Sequence, residues 1–217
     1  MVAKKSSRFG TPHPLRMFPT FVWKGELLPE IHQSLNERIV ATLNELRRSV
    51  PALEPGQAWQ SNQDLHRLDE FRPLVVCVME AAEAALAYLK IDDDAFEITG
   101  CWANVNAPGA GHRTHSHPNN FLSGVYYVKT QAGADTVNFH DPRAQTGIMR
   151  PPVTELTADN TDQVVVKVSN GTLLVFPSWL QHSVDANRSD AERISVSFNI
   201  MFSSYGDRMS KPLWKPE

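Results

Sequence analysis

The residues best suited to chemistry lie in one short stretch, 112–128, which reads HRTHSHPNNFLSGVYYV. It begins with His112, His115 and His117, three of the eight histidines in the chain, and ends in an apolar, β-prone segment. Side chains two residues apart in an extended strand point to one face, so His115 and His117 would direct two imidazoles at one point. This predicts a metal site, with a surface or hydrogen-bonding role as the alternative. The spacing does not fix the direction of His112.

A second group of candidates lies in 176–200, FPSWLQHSVDANRSDAERISVSFNI. His182 follows a predicted turn at Pro177, where a lone histidine is more often structural than a metal ligand. Arg193 begins the last predicted strand, with Ser195 and Ser197 on its own face. Because burying an unpaired charge is costly, an inward-facing Arg193 needs an anion, and its planar fork suits a carboxylate. An exposed arginine at a strand start is the alternative.

The elements that must position these residues are predicted from periodicity. A short strand at 21–23 ends at Gly25, an apolar stripe predicts a helix that begins at Pro29, and an Ala-rich stretch predicts a second helix over 73–90. A loop over 50–64 separates the two helices. Six β-prone segments follow, at 96–106, 121–129, 135–139, 163–168, 172–176 and 193–202. Asn170-Gly171 predicts a β-hairpin, and the order of elements predicts helices outside a β-sandwich or barrel.

Composition excludes several classes of function. The 217 residues suit one domain, and 41% apolar with 21% charged residues is typical of a globular protein. A net charge of −3 without a basic block disfavours nucleic acid as a partner. No apolar run approaches the roughly 20 residues of a membrane span, and no secretory signal is recognised. Cys77 and Cys101 predict buried thiols in a reducing compartment, so we expect a cytoplasmic protein.

Taken together, His115-Ser-His117, the SGVYYV segment, His182 and Arg193 resemble the 2-oxoglutarate/Fe(II)-dependent oxygenases. The VYYV strand and the HSV…RISVSF segment are similar to the prolyl-hydroxylase-like branch. The H-x-H-P-N…LSGVYYV motif resembles a bacterial and phage group of 2-oxoglutarate–Fe(II) oxygenases. The resemblance implies a double-stranded β-helix (jelly roll) flanked by two helices. It implies one domain over 1–217, with helical support in 1–95 and the jelly-roll core in 96–205.

The resemblance also implies cofactors and their ligands. Fe(II) would be held by His115, His117 and His182, and the C5 carboxylate of 2-oxoglutarate by Arg193, with Tyr127 hydrogen-bonding to that carboxylate. Further pocket-lining polar groups would be Asn104 and Asn106. The implied reaction is an O₂-dependent oxidation, most simply a hydroxylation, that releases succinate and CO₂. The substrate, a small molecule or a peptide, is not readable from the sequence, and neither is the role of the long segment 141–160.

One residue departs from the family pattern, His-x-Asp/Glu…His, because position 117 is histidine. An all-histidine triad is one explanation, and a carboxylate supplied by Asp141 or Asp185 is another. A third is a site that holds metal without oxygenase activity. Two other functions therefore stay open at this point: a non-catalytic jelly-roll module that binds a small acid or a partner, and a His₃ zinc hydrolase.

Overall fold

The computed structural model describes residues 10–11, 13–15, 17–91, 95–143, 148–149 and 151–206. The segment 141–160, whose role the sequence leaves open, therefore lies partly outside the described residues. The helices are α1 (Pro29–Leu46), α2 (Arg72–Tyr88) and α3 (Ser203–Gly206), with 3₁₀ turns at Leu65–Arg67 and Asp69–Phe71. The strands are β1 (Trp23–Glu26), β2 (Ala58–Gln60), β3 (Phe96–Asn106), β4 (His112–His115), β5 (Leu122–Lys129), β6 (Thr136–His140), β7 (Gln163–Lys167), β8 (Thr172–Pro177), β9 (His182–Val184) and β10 (Arg193–Phe202).

Within the described residues these strands form two antiparallel sheets. The major sheet has six strands in the order β1-β8-β5-β10-β3-β2, and the minor sheet has four in the order β4-β9-β6-β7. A cluster of buried apolar side chains, which includes Phe139 of the minor sheet and Phe176 of the major sheet, lies between them. The prediction of a mainly-β fold flanked by two helices is confirmed.

The helices cover the outer face of the major sheet. Leu35 and Leu43 of α1 and Val78 of α2 belong to the same buried cluster as Val196 and Phe198 of β10. Because side chains alternate along a strand, the other face of β10 turns toward the interior between the sheets. Within the described residues, no helix combines the length and apolar character that crossing a lipid bilayer would require.

The predicted hairpin at Asn170-Gly171 is wrong. The strand before it, β7, pairs with β6 in the minor sheet, whereas β8 after it pairs with β1 and β5 in the major sheet. Gly171 has φ +87°, the left-handed conformation that such a turn requires. The dipeptide therefore makes a turn that crosses from one sheet to the other, because a turn signal specifies local backbone geometry and not the partner of each strand.

The shortest strands differ most from the sequence prediction. Strand β2 lies inside the predicted loop 50–64, β4 and β9 were not predicted, and β1 begins two residues later than predicted. Strands of three or four residues are too short for a period-2 pattern to stand out. Since β1 and β2 are the two edges of the major sheet, the first 95 residues supply edge strands as well as helical support.

Candidate active site

A cavity of about 280 Å³ lies between the two sheets and takes its walls from both. The interior face of β10 contributes Arg193, Ser195, Ser197 and Asn199, and β4 and β9 contribute histidines from the opposite side. Among the described residues that line it there is no aspartate or glutamate. The described lining therefore combines apolar walls with a positive charge on Arg193 and carries no carboxylate.

Three histidines converge at one end of this cavity. Each of His115, His117 and His182 offers one ring nitrogen, and these nitrogens all lie within 4.8 Å of one another. The Nε2 atoms of His117 and His182 are 3.4 Å apart, close to the roughly 3 Å between adjacent nitrogens bound to one metal ion at about 2.1 Å. The cluster has the composition and the spacing of a three-ligand metal site.

Two elements of the minor sheet and one turn position these rings. His115 ends β4 directly opposite His182, which begins β9. His117 lies beyond the end of β4, where its backbone N–H donates to the carbonyl oxygen of Ser178 at 2.9 Å. The convergence predicted for His115 and His117 is present, but it arises from this anchored turn and not from two positions on one strand.

Hydrogen bonds to the backbone orient two of the rings. Nδ1 of His115 lies 2.8 Å from the carbonyl oxygen of Arg113, and Nδ1 of His182 lies 2.9 Å from that of Leu180. A carbonyl only accepts, so each Nδ1 carries the proton and each Nε2 keeps a lone pair for a cation. Burial lowers the pKa of both His117 and His182 to about 4, which keeps these two rings neutral at neutral pH.

Neither carboxylate considered as a replacement ligand joins the cluster. Asp141 pairs with Arg143 at 2.7 Å, and Asp185 accepts a hydrogen bond from Nδ2 of Asn138 at 3.0 Å. Among the residues that the structure describes, the only group with metal-ligand spacing is the three histidines. The all-histidine explanation is the one that the geometry supports.

Arg193 and Tyr127 lie deep in the same cavity. Arg193 is 2% exposed and Tyr127 is fully buried, and the guanidinium carbon lies 5.2 Å from the centre of the tyrosine ring. Burial lowers the pKa of Arg193 and raises the pKa of Tyr127 to about 12. Within the described part of the chain, Nε and Nη2 of Arg193 and the Tyr127 hydroxyl have no hydrogen-bond partner. Three buried donors without an acceptor fit a ligand carboxylate.

The two asparagines named from the sequence have different surroundings. Asn104 lines the cavity, where it accepts from Nε2 of Gln60 at 3.0 Å and donates to Oγ of Ser197 at 3.0 Å. Asn106 is not among the lining residues, and its Nδ2 lies 3.2 Å from Nε2 of His112. Asn104 therefore fits the predicted pocket-lining role. Asn106 does not line the cavity but contacts His112, which does.

Some residues that line the cavity were not predicted from the sequence. Gln60 and Gln63 come from the segment predicted as loop, and β2 is held against β3 by backbone pairing. Trp102 lines the cavity beside His117, with ring centroids 5.7 Å apart. Trp179, in contrast, is 55% exposed and lines a separate surface groove. Which aromatic side chain faces the cavity depends on sheet pairing, so no local sequence signal could have identified it.

Comparison with protein families gives one match. Residues 100–199 match the model of the family described as "Putative 2OG-Fe(II) oxygenase", a range that includes the three clustered histidines, Tyr127 and Arg193. No curated protein matched the chain.

Solved structures with the same fold include several oxygenases. A Pseudomonas putida prolyl-4-hydroxylase has a TM-score of 0.55 at 18% identity, covering 84% of this chain and 93% of that one. The 2-oxoglutarate-dependent carbocyclase SnoK of nogalamycin biosynthesis has a TM-score of 0.61 at 16% identity, covering 91% and 90%. The epimerase SnoN, solved with Fe³⁺, 2-oxoglutarate and a nogalamycin, has a TM-score of 0.61 at 12% identity, covering 85% and 80%. At these identities the structures show a shared fold, and residues 100–199, which carry the three clustered histidines and Arg193, match the 2OG-Fe(II) oxygenase family.

Proposed function

We propose that His115, His117 and His182 hold Fe(II), and that Arg193 holds 2-oxoglutarate, in a dioxygenase that hydroxylates its substrate and releases succinate and CO₂. One observation carries this assignment. Convergent ring nitrogens and a buried guanidinium with unpaired donors face the same cavity, whose described lining has no carboxylate. The histidine end of the cavity would complement a cation, and the Arg193 end would complement a carboxylate of a dicarboxylate ligand.

The three histidines would take the positions on one side of the metal ion and leave the remaining positions open to the cavity. When bound, Fe(II) and 2-oxoglutarate supply the oxidising chemistry with O₂, in which the cosubstrate becomes succinate and CO₂ and one oxygen atom goes to a substrate C–H bond. His115 and His182 contribute orientation, because their backbone hydrogen bonds hold the donor nitrogens toward the cavity.

Arg193 and Tyr127 would hold the distal carboxylate of the cosubstrate. The fork of Arg193 offers two unpaired N–H groups, and the Tyr127 hydroxyl, protonated at neutral pH, offers a third donor. Val137 and Phe176 line the cavity and belong to the same apolar cluster as Tyr127, so this part of the cavity has an apolar wall. Low local polarity strengthens the contact between the guanidinium and the carboxylate.

The alternatives fit less well. A zinc hydrolase needs a general base near the metal-bound water, and the described lining offers no carboxylate for that role. A binding module without metal would leave the convergence of the three histidine ring nitrogens unexplained. The two cysteines are free thiols, with Cys101 buried, which supports the proposed location in a reducing compartment, the cytoplasm.

Anaerobic titration of the metal-free protein with Fe(II) and 2-oxoglutarate tests the assignment. We expect a metal-to-ligand charge-transfer band that requires both components, and succinate formation once O₂ is admitted. The same titration with Zn(II) is the control and should give neither signal. No band under anaerobic conditions, together with no succinate in air, would contradict the proposed function.

A further inference from the structure

We propose that His112 is a further cosubstrate-binding residue, whose Nδ1–H donates to a carboxylate oxygen of 2-oxoglutarate, and that Asn106 is the residue that positions it. The inference rests on the proposed function, since it needs the dicarboxylate to lie between the histidine cluster and Arg193. It assigns a role to the first histidine of the HRTHSH segment, which the metal site does not use.

His112 lies beside both ends of the proposed cosubstrate site. It lines the cavity, and its ring centroid is 6.5 Å from that of His115. Its hydrogen-bond partner Asn106 is the residue directly opposite Arg193 in the pairing of β3 with β10. A ligand that extends from the histidine cluster to Arg193 therefore passes the imidazole of His112.

Asn106 determines which nitrogen of His112 carries the proton. Its Nδ2 lies 3.2 Å from Nε2 of His112, so the amide donates and Nε2 accepts. With Nε2 accepting this hydrogen bond, the neutral ring carries its one proton on Nδ1. The hydrogen bond that the described residues make to the His112 ring is this one, to Nε2. One donor is thus left for a ligand in the cavity.

Burial and a hydrogen bond from Asn187 fix the position of Asn106. Its side chain is 1% exposed, and its backbone carbonyl accepts a hydrogen bond from Nδ2 of Asn187 at 3.1 Å. Asn187 in turn donates to the backbone carbonyl oxygen of Ala191 at 2.7 Å and accepts from the backbone N–H of Ser189 at 3.0 Å, both in the loop that leads into β10. Because the buried Asn106 holds the His112 ring in place, the ring loses little conformational freedom when a ligand binds. Little of the binding free energy is therefore spent on ordering this donor.

The ligand chemistry follows from the charges in the cavity. The described lining has a full positive charge on Arg193 and no carboxylate, so the site favours a dianion. A neutral N–H that donates to a charged carboxylate is one of the stronger hydrogen bonds in proteins, and its loss costs about tenfold or more in affinity.

Calorimetric titration of 2-oxoglutarate into Mn(II)-loaded protein under anaerobic conditions tests the role of His112. His112→Phe keeps a planar ring without a donor, and we expect its Kd for 2-oxoglutarate to rise about tenfold or more, with the Kd for Mn(II) unchanged. His112→Gln keeps an N–H donor and should bind nearly as the wild type does. The matched control is His140→Phe, because His140 bonds to Ser183 and does not line the cavity.

A double-mutant cycle tests the positioning role of Asn106. Asn106→Leu should weaken 2-oxoglutarate binding in the wild-type background and have little additional effect beside His112→Phe, because both act through one hydrogen bond. Purely structural damage from Asn106→Leu would weaken binding equally in both backgrounds and would overturn this part of the proposal.

Two results would overturn the inference while leaving the proposed function intact. One is a wild-type Kd for 2-oxoglutarate in a folded His112→Phe protein, which would show that His112 does not contact the cosubstrate. The other is loss of Mn(II) binding in that variant, which would make His112 a metal ligand. If the wild-type Mn(II) protein itself failed to bind 2-oxoglutarate, the proposed function would fail together with the inference.

Discussion

At the scale of single residues, the donor nitrogens of the cluster depend on groups outside it. His182 is 4% exposed, and its Nδ1–H donates to the carbonyl oxygen of Leu180. This hydrogen bond fixes the orientation of the imidazole and leaves Nε2 as the nitrogen that can bind a metal ion. His117 has its backbone tied to Ser178, in the connection that leads to β9. Local backbone bonds therefore assemble the histidine cluster, and its geometry should tolerate changes elsewhere on the surface.

His182→Ala should reduce metal affinity about 100-fold or more. Even residues that only orient a metal ligand contribute 10- to 100-fold to affinity, and this change removes a ligand. Equilibrium dialysis with Mn(II) or Zn(II) measures the effect, with His140→Ala as the control outside the cavity. Unchanged affinity in His182→Ala would remove this residue from the metal site.

Arg193→Gln should raise the Kd for 2-oxoglutarate about 10- to 100-fold while metal affinity stays unchanged. The change removes a charge-assisted, forked contact, which is worth about 1.5–3 kcal/mol. Titration of the Fe(II) protein under anaerobic conditions, followed by the charge-transfer band, gives both constants. Arg188→Gln, which alters an exposed arginine, is the control. Wild-type affinity in Arg193→Gln would show that the carboxylate binds elsewhere.

At this scale the sequence predicts candidate residues but not the contacts between them. The order of His115, His117, His182 and Arg193 along the chain carried the resemblance, and the structure brings these four side chains to one cavity. The contact of Asn106 with His112 could not be predicted, because an asparagine in a strand does not indicate which residue will lie beside it across a turn. Its contact with His112 depends on how β4 returns toward the end of β3, which is a property of the fold.

At the scale of elements, β5 and β10 approach closely at Gly124. A Cβ added there would clash with the ring of Phe198 and with the carbonyl oxygen of Leu174, both in the packed interior. Glycine lets β5 and its neighbours pair while Phe198 fills the space above it. The adjacent residues on β5, Tyr126 and Tyr127, depend on this pairing for their opposite directions, toward the helices and toward the cavity.

Gly124→Ala should destabilise the protein by about 3 kcal/mol or more, because overpacking a closed core forces side chains and backbone to shift. Urea unfolding followed by circular dichroism measures the change. Gly25→Ala is the matched control in strand β1, where the nearest atom to an added Cβ is 4.0 Å away. Equal stability of the two variants would show that the sheet relaxes around residue 124.

The longer elements were the predictable ones. Strands β3 and β10 have the bounds expected from the sequence, because ten or more residues of β-prone pattern outweigh local noise. Strand β9 has three residues and β2 lies in a polar segment, so neither has a pattern of its own. Their formation follows from pairing with strands distant in sequence, and the Asn170-Gly171 turn likewise acquires its role only when two sheets exist.

At the scale of the whole molecule, α1 braces β5 and β10, the strands that carry Tyr127 and Arg193. Asn36 donates to the carbonyl oxygen of Val128 at 2.9 Å and accepts from the hydroxyl of Tyr126 at 2.7 Å. At the end of α1, Arg47 makes two hydrogen bonds to the carboxylate of Glu192, the residue before Arg193. The helices thus fix β5 and β10 from the face opposite the cavity, and the family match, which begins at residue 100, does not include them.

The buried histidine of the cluster, His182, should make the metal-free protein acid-sensitive. Burial holds the pKa of His182 at about 4, below its ordinary value of 6.5, so the unfolded chain takes up this proton at higher pH than the folded one. The contribution to stability is therefore complete above pH 6.5, falls as the pH drops from 6.5 to about 4, and changes no further below that. Its size is on the order of 3 kcal/mol.

The measurement is urea unfolding of chelator-treated protein at several pH values across that range. His182→Asn should flatten the fall in unfolding free energy between about pH 6.5 and 4, because it removes one of the groups whose protonation favours the unfolded chain. Gln181→Asn, a change at the exposed and non-titrating neighbour of His182, is the control and should leave the slope of the wild type. Zn(II) in excess should stabilise the wild type at neutral pH, since it binds only the folded cluster. An identical slope in His182→Asn and in the wild type would mean that this ring remains accessible to protons in the folded protein.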